Sequence, residues 1–215
     1  MDFVLEMLPY LLKGAVMTVQ ITLLSMALAL VAGLLIALMR LSRSRVLKVI
    51  SGVYVEVIRG TPLLVQLFII YYGLPQYGIR LNAFTAGVLG LALNYSAYLA
   101  EVYRGGILAI DKGQWEAGAS IGLSRNALMR HVILPQALRI VLPPIGNYFI
   151  SMLKDSALVA TVSVLELMRA AQLRVAITFR AMDIYLMVAV LYFLMSYPCS
   201  LLIRYLEKRM SRGHV

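Results

Sequence analysis

The sequence predicts an all-α integral membrane protein with five transmembrane helices and a polar elbow on the cytoplasmic side. Hydrophobic residues fill 61% of the 215 positions, and charged residues fill only 14%. With a mean hydropathy of +0.84, the chain is more apolar than a soluble domain of this length, so its expected environment is a lipid bilayer. The net charge of +10 does not indicate nucleic acid, because the basic residues gather at the ends of apolar runs. We expect residues 1–215 to form a single multi-pass domain in the cell membrane.

The first apolar run, residues 14–39, is long enough to cross a hydrocarbon core, which needs about 20 residues. Pro9 and Lys13 are expected to separate this run from a short amphipathic segment at the N-terminus. Four basic residues and no acidic residue follow the run: Arg40, Arg43, Arg45 and Lys48. By the positive-inside rule, the loop after the run lies in the cytoplasm and the N-terminus lies outside.

The remaining four spans follow from the breaks between apolar runs. They are expected at residues 63–77, 83–110, 138–153 and 184–203. Pro62 suits the first turn of the second span, and Pro143 with Pro144 is expected to kink the fourth. Residues 156–183 are apolar to Val164, and charged and apolar side chains then alternate from Glu166 to Arg180, which predicts an external surface helix or a gate. A basic tail follows the fifth span and places the C-terminus in the cytoplasm: Arg204, Lys208, Arg209 and Arg212.

The longest polar-containing stretch between apolar runs predicts a compact elbow of two short helices, at about residues 111–135. Asp111 is placed to cap the first helix, and Gly122 is placed to end it in a left-handed conformation. Ser124 is placed to cap the second helix, and Pro135 is placed to limit it.

Small side chains on the first elbow helix would let another protein approach its backbone closely. Three of them are consecutive, at Ala117, Gly118 and Ala119, and the acidic Glu116 precedes them. Trp115 offers a large anchor beside this face. The elbow is therefore a candidate docking site, and the alternative from these residues alone is an ordinary cytoplasmic loop.

The third span carries polar side chains at helical spacing, which places them on one face. They are Asn94, Tyr98 and Glu101, with Arg104 one turn further along. A glutamate inside a membrane needs a partner. Glu101 either pairs with Arg104 or Arg59 and holds the bundle together, or lines a translocation path.

The fourth span carries a second polar stripe on one helical face. Its members are Asn147, Ser151, Lys154 and Asp155. Because the stripe ends near the outer mouth, we expect it to line the path of a solute. Asp155 is placed to attract a cationic group and Lys154 a carboxylate; alternatively, both residues serve only the helix end.

The sequence contains no Gly-x-x-x-x-Gly-Lys-Ser/Thr phosphate loop, so the chain is not expected to be an enzyme or to bind ATP or another cofactor itself. The single cysteine, Cys199, lies within an apolar run, and His131 and His214 lie in basic surroundings. No metal site is expected from these residues.

The elbow resembles the EAA signature of permease subunits in ATP-binding-cassette (ABC) importers. The resemblance rests on the spacing of Glu116, Ala117, Gly122, Leu134 and Pro135. Two positions depart from the usual pattern, with Gly118 in place of alanine and Val132 in place of isoleucine, and both keep the site small or apolar. The resemblance implies that residues 115–119 and Gly122 couple the chain to an ATPase.

Three further segments look like the polar amino acid permeases within these importers. They are RGTPLLVQ at residues 59–66, SAYLAEVYRGG at residues 96–106 and ELMRAA at residues 166–171. This resemblance covers nearly the whole chain. It implies a five-span subunit that pairs with a second permease, taken here as an identical copy, receives solute from an extracytoplasmic binding protein and is driven by two ATPases. In one departure, Ser156-Ala157 stands where the family commonly has Thr-Ser, which leaves the substrate preference open.

The predicted function is therefore that of the transmembrane permease subunit of an ATP-driven importer, forming the path for a polar, preferably cationic, L-amino acid. Two other classes remain open. An ion-coupled secondary transporter or channel would move solute without an ATPase, and a membrane scaffold would bind partners without moving solute.

Overall fold

The computed structural model describes residues 2–211, and the regular secondary structure of this part of the chain is entirely helical. The α-helices are α1 (Asp2–Leu41), α2 (Arg45–Gly60), α3 (Leu63–Phe68), α4 (Ala83–Leu108), α5 (Lys112–Ser120), α6 (Arg125–Leu128), α7 (Leu134–Asp155), α8 (Leu167–Thr178) and α9 (Ala181–Ser211). Wider π-helical turns cover Ile69–Gly73 and Met129–Ile133, and tighter 3₁₀ turns cover Leu74–Tyr77 and Ser156–Val162. Arg212 of the predicted basic tail and His214 lie outside the described residues.

Three of these helices, α1, α4 and α9, are each long and apolar enough to cross a membrane. Two more spans arise if each bent helical pair counts as one. The first pair joins α2 to Leu63–Tyr77 at an angle of 104°, and the second joins Arg125–Val162 to α8 at 51°. The fold therefore accommodates the five predicted spans.

α2 precedes the second predicted span and ends at a sharp corner. The Ser44 hydroxyl accepts a hydrogen bond from the backbone N–H of Leu47 at 3.5 Å and caps the helix. Pro62 lacks an N–H group and disfavours helical geometry in the residue before it, so the chain turns sharply after Gly60. The second span is consequently a bent pair with a corner at residues 61–62.

The prediction that Pro9 separates an N-terminal segment from the first span is wrong, because α1 continues through Pro9. A proline inside a helix costs about 3 kcal/mol. On the same helix, Leu11 and Ala15 are buried against Leu167 of α8 and Ile184 of α9. Burying one large aliphatic side chain contributes about 1.5–3 kcal/mol, so this packing offsets the cost of the proline.

The main hydrophobic core lies among α1, α4, α7 and the 3₁₀ turns that follow α7. Its fully buried side chains include Ile21, Leu91, Leu99, Met152 and Val159. The core fixes α4 and α7 side by side, so the polar faces of these two helices meet.

Residues 156–183 form a 3₁₀ turn and the short helix α8 rather than one continuous helix. α8 keeps an exposed face, with Leu173 and Ile177 43% and 69% exposed, whereas the Glu166 side chain is fully buried at its start. Its carboxylate accepts hydrogen bonds from the backbone N–H groups of Met168 at 2.8 Å and Arg169 at 2.7 Å, and from the Tyr192 hydroxyl at 3.0 Å. A buried carboxylate is tolerated when its oxygens are satisfied in this way, and Glu166 thereby caps α8.

Candidate functional site

The elbow forms between α4 and α7 with the turn chemistry that the sequence predicted. The Asp111 carboxylate accepts a hydrogen bond from the backbone N–H of Gly113 at 2.6 Å, and the Ser124 hydroxyl accepts one from Ala127 at 3.3 Å. Gly122 lies between the two helices with φ of +78°, a left-handed conformation that a side chain would strain. The predicted caps at Asp111 and Ser124 and the left-handed end of the helix at Gly122 are confirmed.

Pro135 does not limit the second elbow helix, so this prediction is wrong. α6 continues through the π-helical turn Met129–Ile133 into α7, and Pro135 lies in the first turn of α7. In a regular α-helix, the proline ring would clash with the carbonyl group four residues earlier. The wider π turn just before it gives the ring room, and the elbow is joined to the membrane by a continuous helix.

Two residues of the predicted docking face, Trp115 and Gly118, pack within the elbow. Gly118 is buried, and a Cβ atom at this position would collide with the side chain of Leu128. Trp115 is partly buried against a cluster that includes Ile110, Leu128 and Ile133. The small size of Gly118 therefore permits the close contact of α5 with α6.

The exposed side of the elbow carries Glu116, Ala117, Ala119 and Ile121. Ile121 is 77% exposed, and the sequence analysis did not select it. The sequence did contain a signal for it, since Ile121 directly precedes Gly122, the glycine at which the first elbow helix ends. A large apolar side chain at the exposed end of a short helix is a candidate contact for another protein. Ile121 and the small residues beside it form a surface with an apolar anchor, which we call the elbow face.

A cavity of about 440 Å³ opens at the corner between α2 and α3, facing α4 and α7. Its lining residues are Arg59, Gly60, Thr61, Pro62, Leu63, Asn94, Tyr95, Tyr98, Tyr148, Ser151 and Asp155. Sites for small molecules typically have volumes of about 300–1,000 Å³, so this cavity suits a solute of that class. We call it the central cavity.

The central cavity combines a carboxylate, a guanidinium group and three aromatic rings. The Tyr95 hydroxyl donates a hydrogen bond to Oδ2 of Asp155 at 2.7 Å. The ring centroid of Tyr148 lies 6.2 Å from that of Tyr95 and 5.5 Å from that of Tyr98. The guanidinium carbon of Arg59 lies 5.3 Å from the centroid of the Tyr98 ring. Groups of opposite charge thus line one aromatic chamber.

Only half of the predicted stripe on α7 reaches the central cavity. Ser151 and Asp155 line it together with Tyr148, whereas Asn147 and Lys154 are exposed and do not. An α-helix turns by about 100° per residue, so Tyr148, Ser151 and Asp155 fall within about 60° of one another. Lys154 lies about 100° from Asp155 around the helix. The face that lines the cavity is therefore rotated away from the face that the sequence analysis selected.

On α4, Asn94 and Tyr98 both line the central cavity. Nδ2 of Asn94 donates a hydrogen bond to Oε1 of Gln66 at 3.1 Å. Nε2 of Gln66 in turn donates to the backbone carbonyl of Ile58 and to the Thr61 hydroxyl, both at 2.8 Å. This chain of hydrogen bonds fastens the corner between α2 and α3 to α4, and so fixes one wall of the cavity.

Glu101 forms the ion pair with Arg104 that the sequence suggested, at 2.7 Å, and a second one with Arg40 of α1 at 3.2 Å. It also lines a second cavity of about 470 Å³, which shares Arg59, Gly60 and Tyr98 with the central cavity. The two interpretations of Glu101 are therefore compatible, because the same carboxylate links α1 to α4 and faces open space.

The chain is similar to known membrane transport proteins over most of its length. Residues 29–212 match the model of the family described as "Binding-protein-dependent transport system inner membrane component". The glutamine transport system permease protein of Escherichia coli is 43% identical over 205 residues, which cover 94% of each chain. The L-cystine transport system permease protein of Bacillus subtilis is 41% identical over 208 residues, covering 95% of this chain and 88% of the relative. A crystal structure of an amino acid ABC transporter with histidines contains a chain with a TM-score of 0.92 and 44% identity, covering 95% of this chain and 96% of the other.

Proposed function

The chain belongs to the family of binding-protein-dependent transport system inner membrane components, and we propose that it forms the path of an ABC importer for polar amino acids, with preference for a cationic L-amino acid. It is a multi-pass inner membrane protein and acts as one transmembrane domain. The observation that carries the proposal is the central cavity, in which Asp155 and Arg59 face one aromatic chamber. The relatives named for glutamine and L-cystine transport support an amino acid as the solute. The preference for a cation rests on Asp155.

An amino acid offers groups that complement this cavity. The Asp155 carboxylate attracts the α-ammonium group or a cationic side chain, and the Arg59 guanidinium group suits a carboxylate, which it binds through two parallel hydrogen bonds. Tyrosine rings attract cations held over their faces, which favours a basic side chain next to Tyr98 or Tyr148. Arg59 takes the role that the sequence analysis gave to Lys154.

The energy for transport comes from partner subunits. Two ATPases bind the ATP and dock on the elbow faces of two identical permease copies, while an extracytoplasmic binding protein delivers the solute. Closure of the ATPases moves the elbows, and the continuous helix from α6 into α7 carries this movement to Ser151 and Asp155. ATP binding thus shifts the population between inward-open and outward-open states through its different affinity for the two.

Reconstitution tests this function against an ion-coupled transporter or channel. Proteoliposomes should accumulate radiolabelled arginine only when the permease, the ATPase, the binding protein and ATP are all present. A non-hydrolysable ATP analogue should not support accumulation, and ionophores that dissipate ion gradients should not reduce it. Arginine uptake by the permease alone, driven by an ion gradient, would instead establish the secondary transporter.

We further propose that the N-terminus lies outside and the C-terminus in the cytoplasm, because basic residues follow α1 and end α9. Single cysteines in a Cys199→Ala background, at Arg43, Arg80, Asn126 and Ala176, test this orientation. All four positions are exposed, so none requires local unfolding to react. A membrane-impermeant thiol reagent should label intact spheroplasts only at positions 80 and 176, and disrupted membranes at all four. Labelling at position 126 from outside would contradict the orientation.

A further inference from the structure

A further cavity lies between the N-terminal part of α1 and α8. It shares no lining residue with the central cavity and none with the elbow. It has a volume of about 470 Å³. Its lining residues are Tyr10, Lys13, Gly14, Met17, Leu165, Ala170, Leu173, Arg174 and Ile177. We call it the α1–α8 cavity.

The polar side of this cavity is cationic. The guanidinium carbon of Arg174 lies 3.3 Å from the centroid of the Tyr10 ring, so the cation is held in place by the ring face. The Lys13 side chain is exposed. Among the described residues, neither cation takes part in an ion pair, and the residues that line the cavity include no acidic side chain. Two positive charges therefore line this cavity without an acidic partner among the described residues.

The position of Lys13 along α1 matches the headgroup region of a bilayer. The helix rises about 1.5 Å per residue, so the 27 residues from Lys13 to Arg40 span about 40 Å. A bilayer measures about 40–45 Å with both headgroup regions included. Since Arg40 begins the basic cluster at one end of the span, Lys13 falls at the level of the opposite headgroups.

The rest of the cavity is apolar, and Met17 and Leu165 continue it toward the hydrocarbon. Met17 lies one turn beyond Lys13 in the direction of Arg40. α8 runs antiparallel to α1, since the backbone N–H of Leu167 donates to the Thr18 hydroxyl whereas Arg174 lies over Tyr10. Leu165, which precedes α8 and is 56% exposed, therefore lies on the hydrocarbon side of the two cations. Cationic groups at the headgroup level and apolar side chains beside them match the order of groups in a phospholipid.

We propose that the α1–α8 cavity binds one anionic phospholipid. The headgroup phosphate lies between Lys13 and Arg174, and an acyl chain lies along Met17 and Leu165. Because α1 and α8 each contribute one cation, the bound lipid holds the two helices together. This inference is independent of the solute that the protein carries.

Native mass spectrometry of the permease–ATPase complex tests the proposal. The complex is titrated with phosphatidylglycerol or with phosphatidylcholine of identical acyl chains, and the bound lipids are counted. The unaltered complex should bind one phosphatidylglycerol more tightly than phosphatidylcholine. Lys13→Gln and Arg174→Gln should each weaken that binding roughly fivefold, since a basic residue near an anionic lipid surface contributes about 1 kcal/mol. The double variant should lose roughly 25-fold in affinity.

Two controls separate a specific site from general attraction. Lys112→Gln removes the same charge from the exposed elbow and should leave phosphatidylglycerol binding unchanged. Arg174→Lys retains the charge and should keep most of the binding. Equal affinity for the two lipids, or unchanged binding in the double variant, would overturn the proposal.

Photo-crosslinking identifies the occupant directly. A benzoylphenylalanine at Leu173 should give an adduct with the mass of a phospholipid in native membranes. An adduct with a second permease copy or with the binding protein would show that a protein covers this cavity and would overturn the lipid assignment.

Discussion

Ile121→Asp should lower solute-stimulated ATP hydrolysis at least about tenfold while the permease remains in the membrane. Truncating a hot-spot side chain at the centre of a protein interface costs about 2 kcal/mol or more, and about 1.4 kcal/mol corresponds to a tenfold change in affinity. An aspartate adds the cost of placing a charge in the interface. Because Ile121 is 77% exposed, the substitution removes little packing within the elbow. Copurification of the ATPase and ATP hydrolysis in the presence of the binding protein and arginine measure the effect.

The matched control is Ile79→Asp, which makes the same change at a side chain that is 52% exposed in the turn before α4. It should leave both measurements unchanged. Glu116→Lys, on the elbow face itself, should also weaken ATPase binding if its carboxylate pairs with a basic residue of the ATPase. Unchanged hydrolysis and uptake in Ile121→Asp and Glu116→Lys would remove the elbow face from the coupling interface.

Substitution of Gly118 should also weaken coupling to the ATPase, but through the packing of the elbow rather than through direct contact. Gly118→Trp forces a large side chain against Leu128, so the two elbow helices separate and the elbow face is distorted. Gly118→Ala should cause a smaller loss, and Leu128→Ala in the same chain should restore part of it by making room for the new methyl group. A direct contact of Gly118 with the ATPase would give no such rescue.

The elbow was predictable because its determinants are local. A capping carboxylate at Asp111, a glycine that tolerates positive φ at Gly122 and a capping hydroxyl at Ser124 each act within a few residues, so the sequence records them directly. The sequence did not show which side of α5 is buried within the elbow and which side is exposed. Which side of α5 faces inward depends on Leu128, and that contact exists only once α6 has folded back.

The two wrong predictions about prolines have a common cause. Pro9 and Pro135 were interpreted as helix boundaries from their local cost, but each lies within a continuous helical segment. Tertiary packing of Leu11 and Ala15 offsets the first, and a π-helical turn accommodates the second. Local propensity is a weak guide when a helix is held by its neighbours on several sides.

The central cavity depends on geometry between distant segments, and the sequence indicated only part of it. Asn94 and Tyr98 were found from their helical spacing, but the rotation of α7 that brings in Tyr148 follows from its packing against α4. Arg59 was noted as a partner for Glu101 and as the start of the RGTPLLVQ segment, but not as a residue of the solute path. The 104° corner at residues 61–62 turns it toward the cavity instead, and no local pattern specifies that angle.

Asp155→Asn should weaken the apparent affinity for arginine by roughly fivefold to 150-fold, with a smaller effect on glutamine. Asparagine retains an oxygen that accepts the hydrogen bond from the Tyr95 hydroxyl, so the substitution removes the charge and little else. Losing one charged partner of a hydrogen bond costs about 1–3 kcal/mol, which corresponds to about fivefold to 150-fold. Glutamine shares the α-ammonium group with arginine but lacks the side-chain cation, so the ratio of the two affinities reports which group Asp155 meets.

Two further variants, measured in proteoliposomes that contain the ATPase and the binding protein, serve as controls for the ratio of arginine to glutamine affinity. Arg59→Gln should weaken arginine and glutamine transport equally, because both solutes carry the same α-carboxylate. Lys154→Gln should change neither, because Lys154 is exposed outside the central cavity. An equal loss for both amino acids in Asp155→Asn would mean that the carboxylate binds the α-ammonium group and that the cationic preference has another source. Unchanged transport of both would remove Asp155 from the binding site, since a carboxylate that contacts the solute contributes to the affinity of at least one of them.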